Sequence, residues 1–143
     1  MAMISKSIEI AVGASVVWDA ARDVGNLHTR LVPGLVADCQ LSADGSERLV
    51  TFANGTALPE TIIAIDEDAM RVVWTARSDA WVHHNGALEI TAIDDANSSV
   101  CWTADVLPHE AADAIAPIME AGLATMKNHL EDRSDLKMQA DPE

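Results

Sequence analysis

The sequence predicts an α+β fold: a curved, seven-stranded antiparallel sheet wrapped around one long C-terminal helix, with two short helices after the first strand. Three observations carry the prediction. Pro108–Asp132 is the only long run with helical spacing. Its Ile115, Ile118, Met119, Gly122, Met126 and Leu130 recur at three- and four-residue steps and share one face, with Glu120, Lys127, Asn128 and Glu131 mainly off it. From Val36 to Val106 the apolar period is two, interrupted by Asp, Asn, Ser and Gly, as in short strands joined by tight turns. A helix with a single apolar face also needs a broad apolar surface to lie on, and such a sheet supplies one.

Taken in order, Ile4, Ile8 and Ile10 alternate with Ser5, Ser7 and Glu9, the pattern of a half-buried strand. Ser15 suits the N-cap of a short helix presenting Val17, Ala21 and Val24, with Gly25 as its left-handed ending. Trp18 on that helix reads as a core anchor. Asn26 would cap a second short helix, which must stop before Pro33 because the residue preceding proline avoids the helical region. Val36–Leu41 and Arg48–Phe52 flank the turn signal Ala43-Asp44-Gly45. Asn54-Gly55, a strong hairpin signal, leads into Thr56–Ile65, whose early part Pro59 confines to an edge or a bulge. Met70–Arg77, Trp81–Ile93 and Ser99–Val106 complete the seven strands. In the last helix Pro117 should produce a kink or mark the true start.

The 143 residues suit a single domain, 1–132, followed by a polar stretch from Arg133 to Glu143 that lacks an apolar period and is expected to be a disordered tail. The net charge of −14 argues against nucleic acid, whose phosphates require Lys and Arg clusters, and against an anionic membrane surface. No apolar run approaches the ~20 residues of a membrane span and no charged-then-apolar leader is present, so no membrane insertion and a cytoplasmic location are expected. Cys39 and Cys101 have no metal spacing and make no disulfide framework. His28, His83, His84, His109 and His129 show no HxH or HExxH spacing, and no G-x-S-x-G, P-loop or G-x-G-x-x-G occurs. Neither a metal nor another cofactor is expected.

The helix face suits a cavity better than a solid core. Gly122 weakens the helix by roughly 1 kcal/mol relative to alanine, and in return leaves space or permits close approach. Met119 and Met126 are adaptable apolar filler. With no tyrosine and only Phe52, the residues Trp74, Trp81 and Trp102 hold nearly all the aromatic area that a pocket could use.

The segments Ser15-Val-Val-Trp-Asp, Asn26-Leu-His-Thr-Arg-Leu-Val-Pro-Gly, Arg48-Leu-Val-Thr-Phe-Ala-Asn-Gly, Val100-Cys-Trp-Thr-Ala and Met119-Glu-Ala-Gly-Leu sit on this order of elements. Together they resemble the START-like, or Bet v 1-like, helix-grip superfamily. More narrowly, they resemble the bacterial polyketide cyclase/dehydrase and lipid-transport (SRPBCC) group, over residues 4 to about 131. The resemblance implies that the two short helices plug one end of a bent sheet and leave a tapered apolar cavity for a lipid, polyketide or sterol. Some members are enzymes and many only bind or carry. The superfamily shares no catalytic triad, so no catalytic role carries over to positions here.

Strand parity supplies the polar candidates, because alternate side chains share a face. Val100, Trp102, Ala104 and Val106 should face the helix, with Ser99, Thr103 and Asp105 outward. His84 and Gly86 share the phase of Val82, Leu88 and Ile90, whereas His83 falls with Asn85 and Glu89, so parity points His84 inward, and a bulge near Gly86 would reverse that choice and leave His83 inward instead. Glu60 aligns with Leu58, Ile62 and Ala64, and Arg48 with Val50 and Phe52. An inward Glu60 beside Arg48 would form a charge-assisted pair, and His84 beside Glu60 would be a general acid or base.

Three readings follow. In the first, the protein binds or transports a small hydrophobic molecule (a lipid, polyketide or aromatic-like compound) in a pocket lined by Phe52, Trp74, Trp81, His84, Leu88 and Trp102, with Ile118, Met119, Gly122 and Met126 from the helix. In the second, it is an enzyme of the cyclase, dehydratase or hydrolase kind that uses His84, Glu60 and Arg48. In the third, it is a homodimer that buries an exposed sheet edge and has no ligand.

Overall fold

The computed structural model describes residues 2–140, with side chains through residue 133. Strands β1 (Ala2–Ile10), β2 (Val36–Leu41), β3 (Glu47–Phe52), β4 (Ala57–Asp66), β5 (Arg71–Ala76), β6 (His83–Asp94) and β7 (Asn97–Leu107) form one antiparallel sheet in the order β1-β7-β6-β5-β4-β3-β2. Strands β2 to β7 are a meander, and β1 adds to β7, so β1 and β2 are the edges. Between them in sequence lie α1 (Ala14–Ala21) and a π-helical turn, Leu27–Leu31. After β7 a 3-10 turn, His109–Ala111, leads into α2 (Ala112–Ala140).

The hairpin turns form through the residues that signalled them. Asp44 Oδ1 accepts hydrogen bonds from Ser42 Oγ and from the backbone N and Oγ of Ser46, which lowers its carboxyl pKa to about 2. Gly45 and Gly55 take left-handed φ values of 77° and 93°, a region that glycine enters without a Cβ clash.

Several local expectations are corrected. The cap of α1 is Gly13, not Ser15, which lies inside the helix, and no side chain caps that end. The helix closes at Arg22 in a right-handed conformation, and Gly25 is not left-handed. Gly25 is instead a close-approach site, because a Cβ there would lie 3.0 Å from the Cβ of Leu41. The second short helix is only a π-helical turn, and the Asn26 side chain donates to Asp23 instead of capping it. Pro117 lies inside α2 and does not mark its start. Trp81 and Val82 precede β6, so Val82, 75% exposed, escapes the inward phase of that strand. A bulge between Ile62 and Ala64 breaks the parity of β4 and leaves Ala64 exposed. Helix α2 spans Ala112–Ala140, so its backbone extends into the polar stretch that begins at Arg133. Leu136, Lys137, Met138 and Gln139 are good helix formers and extend turns already nucleated by packing. Residues 141–143 lie outside the described residues.

The core forms where the apolar faces meet. One cluster joins α1, the sheet, and Leu123, Met126 and Leu130 of α2; a second joins Ile4, Ala104, Val106, Ile115 and Met119. Helix α2 packs on β1 and β7. It is pinned there by Lys127 Nζ, which donates to the Glu9 carbonyl, and by Glu131, which accepts from the Ala11 N–H. Trp18 is buried as expected, and its Nε1 donates to Glu67, which also holds Arg22. With α2 held against one end of the sheet, strands β3 to β6 look toward it across open space.

Candidate functional site

That space is a cavity of about 460 Å³, within the range of small-molecule sites. The sheet supplies Phe52, Trp74, His84, Leu88 and Trp102, and the turn before β6 supplies Trp81. Ile118, Met119 and Met126 close it from α2. Met119 and Met126 are fully buried, whereas Ile118 is 42% exposed and stands at the rim, off the buried stripe that Leu123 completes. Gly122 does not line the cavity. A Cβ there would come within 2.6 Å of Trp102 Cζ3, so glycine lets the helix backbone seat that indole.

The tryptophans brace one another. Trp74 and Trp102 meet edge to face with centroids 6.0 Å apart, a favoured aromatic geometry. Trp74 lies over Gly86, its cross-strand neighbour. Trp81 Nε1 donates to the Ala76 carbonyl, which orients its ring onto His84 at 4.9 Å.

Arg48 and Glu60 face each other across β3 and β4 and both line the cavity, 5% and 6% exposed. Arg48 Nε donates to Glu60 Oε1 at 2.9 Å, Nη2 lies 2.8 Å from the same oxygen, and Nη1 donates to the Val24 carbonyl at 3.0 Å. The guanidinium also sits 5.4 Å from the centre of a Trp74 ring, within cation–π range. Burial pushes the Glu60 carboxyl above its ordinary range, and the charge and hydrogen bond of Arg48 pull it part of the way back.

His84 is not beside Glu60. The register Glu60↔Ala76 and Ala76↔His84 puts Ala76 between them, two strand spacings or roughly 10 Å apart. Its Nδ1 is sealed and unpaired among the described residues, as is Trp102 Nε1. His83 takes the outer face, where its Nε2 lies 2.9 Å from Asp105 Oδ1 without the alignment of a hydrogen bond, and Asn85 donates to that oxygen.

Burial lowers the pKa of His84 below its ordinary 6.5, with His83 adding to that and Asp105 opposing it. The sign follows. As pH falls below 6.5 the unfolded chain takes up the proton first, so stability should decline until the folded group also titrates. Urea denaturation between pH 7 and 5.5 should therefore show a steeper acid loss for the wild type than for His84→Gln. Parallel curves would mean that the imidazole is hydrated.

One part of the cavity wall was not foreseen. Leu27, Leu31 and Leu35, from the π-helical turn and the loop after it, line it. Their four-residue spacing was legible, but it also fits an ordinary core face.

Residues 1–131 match the family described as polyketide cyclase/dehydrase and lipid transport. The chain belongs to that family. Among solved structures similar to this family member are XoxI from Bacillus cereus and a protein from Thermobifida fusca. XoxI has a TM-score of 0.84 and 17% identity, over 94% of this chain and 99% of that one. The Thermobifida protein has a TM-score of 0.75 and 28% identity, over 93% of each. A START superfamily protein from Mycobacterium smegmatis follows at 0.73 and 14%, over 91% of this chain and 97% of that one. No curated protein matches. The seven-stranded antiparallel sheet with its long C-terminal helix is the START-like, helix-grip fold. Among the described residues of this family member, no helix is long and apolar enough to cross a membrane, and no cluster of three or more His, Cys, Asp or Glu could hold a metal.

Proposed function

We propose that this protein binds and carries a small hydrophobic molecule in the cavity between the sheet and α2. The observation that supports this most directly is the cavity itself, about 460 Å³ walled mainly by apolar side chains. A solid core would have filled that space, since protein interiors close-pack. A cyclase-like or dehydratase-like role draws less support. It needs an available acid–base pair, whereas Glu60 is held by Arg48 and His84 stands two strands away.

Tryptophan emission reads the site, because the chain has no tyrosine and Trp74, Trp81 and Trp102 line the cavity. Titration with 1-decanol, 2-naphthol and a sterol, followed in parallel by native mass spectrometry, should give a saturable change and one added ligand mass. Leu58→Trp, which fills the cavity from β4, should abolish the mass shift. Unchanged emission and mass across all three probes would overturn the proposal.

A further inference from the structure

Glu60 has two carboxylate oxygens, and the protein uses one. Arg48 Nε donates to Oε1 and Nη2 approaches the same atom. No group among the described residues donates to Oε2, and Oε2 is not among the sealed, unpaired atoms, although the residue is only 6% exposed. Since Glu60 lines the cavity, that oxygen is an acceptor left open to whatever enters.

The charge balance narrows what can enter. With Nε and Nη2 of Arg48 both on Oε1, Glu60 is held as the carboxylate against the effect of burial, so the two residues neutralise each other in an apolar enclosure and no net positive charge remains there to receive an anion. A carboxylate docked here would bring a second negative charge against Glu60, with the chain's net charge of −14 around it. Burying an unpaired charge is costly. An uncharged donor on an apolar body meets no such penalty, and it supplies the hydrogen bond that Oε2 lacks.

We infer that the cavity selects a neutral amphiphile, an apolar body bearing a hydroxyl or similar uncharged donor that binds Glu60 Oε2, and discriminates against the matching carboxylate. This rests on the ligand-binding reading above and adds the polarity of the ligand. The alternative within reach, Arg48 serving as an anion receptor, is disfavoured because Glu60 already neutralises its charge and three of its five N–H groups are directed at Glu60 and the Val24 carbonyl.

The test compares three probes with the same ten-carbon chain at pH 7.5: 1-decanol, its methyl ether, and decanoate, each titrated into the full chain by tryptophan emission. The apolar contacts nearly cancel, leaving the head group to decide. Decanol should bind about tenfold tighter than either of the others, the effect of one hydrogen bond to a charged acceptor. Decanoate binding as tightly as decanol would overturn the selection by charge, and the ether binding as tightly would overturn the role of Oε2. Saturable binding of none of the three would overturn the ligand-binding reading first. Glu60→Gln gives a second readout, because its amide can present a donor where Oε2 was and leaves Arg48 with net positive charge. Decanoate should then gain on decanol by about tenfold or more. An unchanged ratio in folded Glu60→Gln would also overturn the inference. If that variant does not fold, the three wild-type titrations still decide.

Discussion

Glu60→Leu is expected to destabilise the protein by about 3–5 kcal/mol, the cost of leaving a buried charge without its partner. Arg48 is 5% exposed, and both its Nε and Nη2 are directed at the carboxylate that the substitution removes. The Val24 carbonyl and the face of Trp74 would remain to it among the described residues, and neither carries the missing charge. Against a typical domain stability of about 5–15 kcal/mol, such a loss brings the chain near unfolding. The double variant Arg48→Met/Glu60→Leu should recover most of the loss, because an apolar pair of similar volume carries no desolvation penalty. Urea denaturation of the two variants against wild type checks both statements. A loss below ~1 kcal/mol in Glu60→Leu would mean that the guanidinium swings out to water and that the pair does not organise the cavity floor.

The second large effect is expected at Gly86. A Cβ built there would sit 2.5, 2.6 and 2.8 Å from Cε2, Cζ2 and Nε1 of Trp74. The indole is blocked on two sides, since Arg48 lies over a ring of it and Trp102 abuts it. Gly86→Ala should therefore cost about 1–3 kcal/mol by overpacking, even though alanine suits a strand better than glycine does. The displaced ring can move only into the open volume beside it, so the same variant should also lose affinity for 1-decanol. Denaturation and ligand titration on one preparation test the pair of effects together. Unchanged stability and affinity would show that Trp74 yields freely and does not shape the site.

The order of elements was legible because it rests on local physics. Period-two alternation marked β2 to β7, and the three- and four-residue spacing of Ile115, Met119 and Met126 marked the buried face of α2. Asp44-Gly45 and Asn54-Gly55 marked turns whose conformation is set by those residues and their immediate neighbours. Parity also placed His84 toward the cavity and His83 away from it, because alternation within β6 holds once the strand begins at His83.

What the sequence could not contain was distance between strands. Whether His84 reaches Glu60 depends on which residue of β5 lies between them, and the register puts Ala76 there. Gly122 looked like cavity lining, but the indole of Trp102, arriving from β7, takes the space that a Cβ would need. Gly25 looked like a helix ending, but its packing against Leu41 on β2 decides its role. Periodicity reports which face a residue occupies, since that depends on backbone geometry of its own element. Which partner it meets there is decided by segments far away in the chain, and at this site that meeting fixes which oxygen of Glu60 stays open.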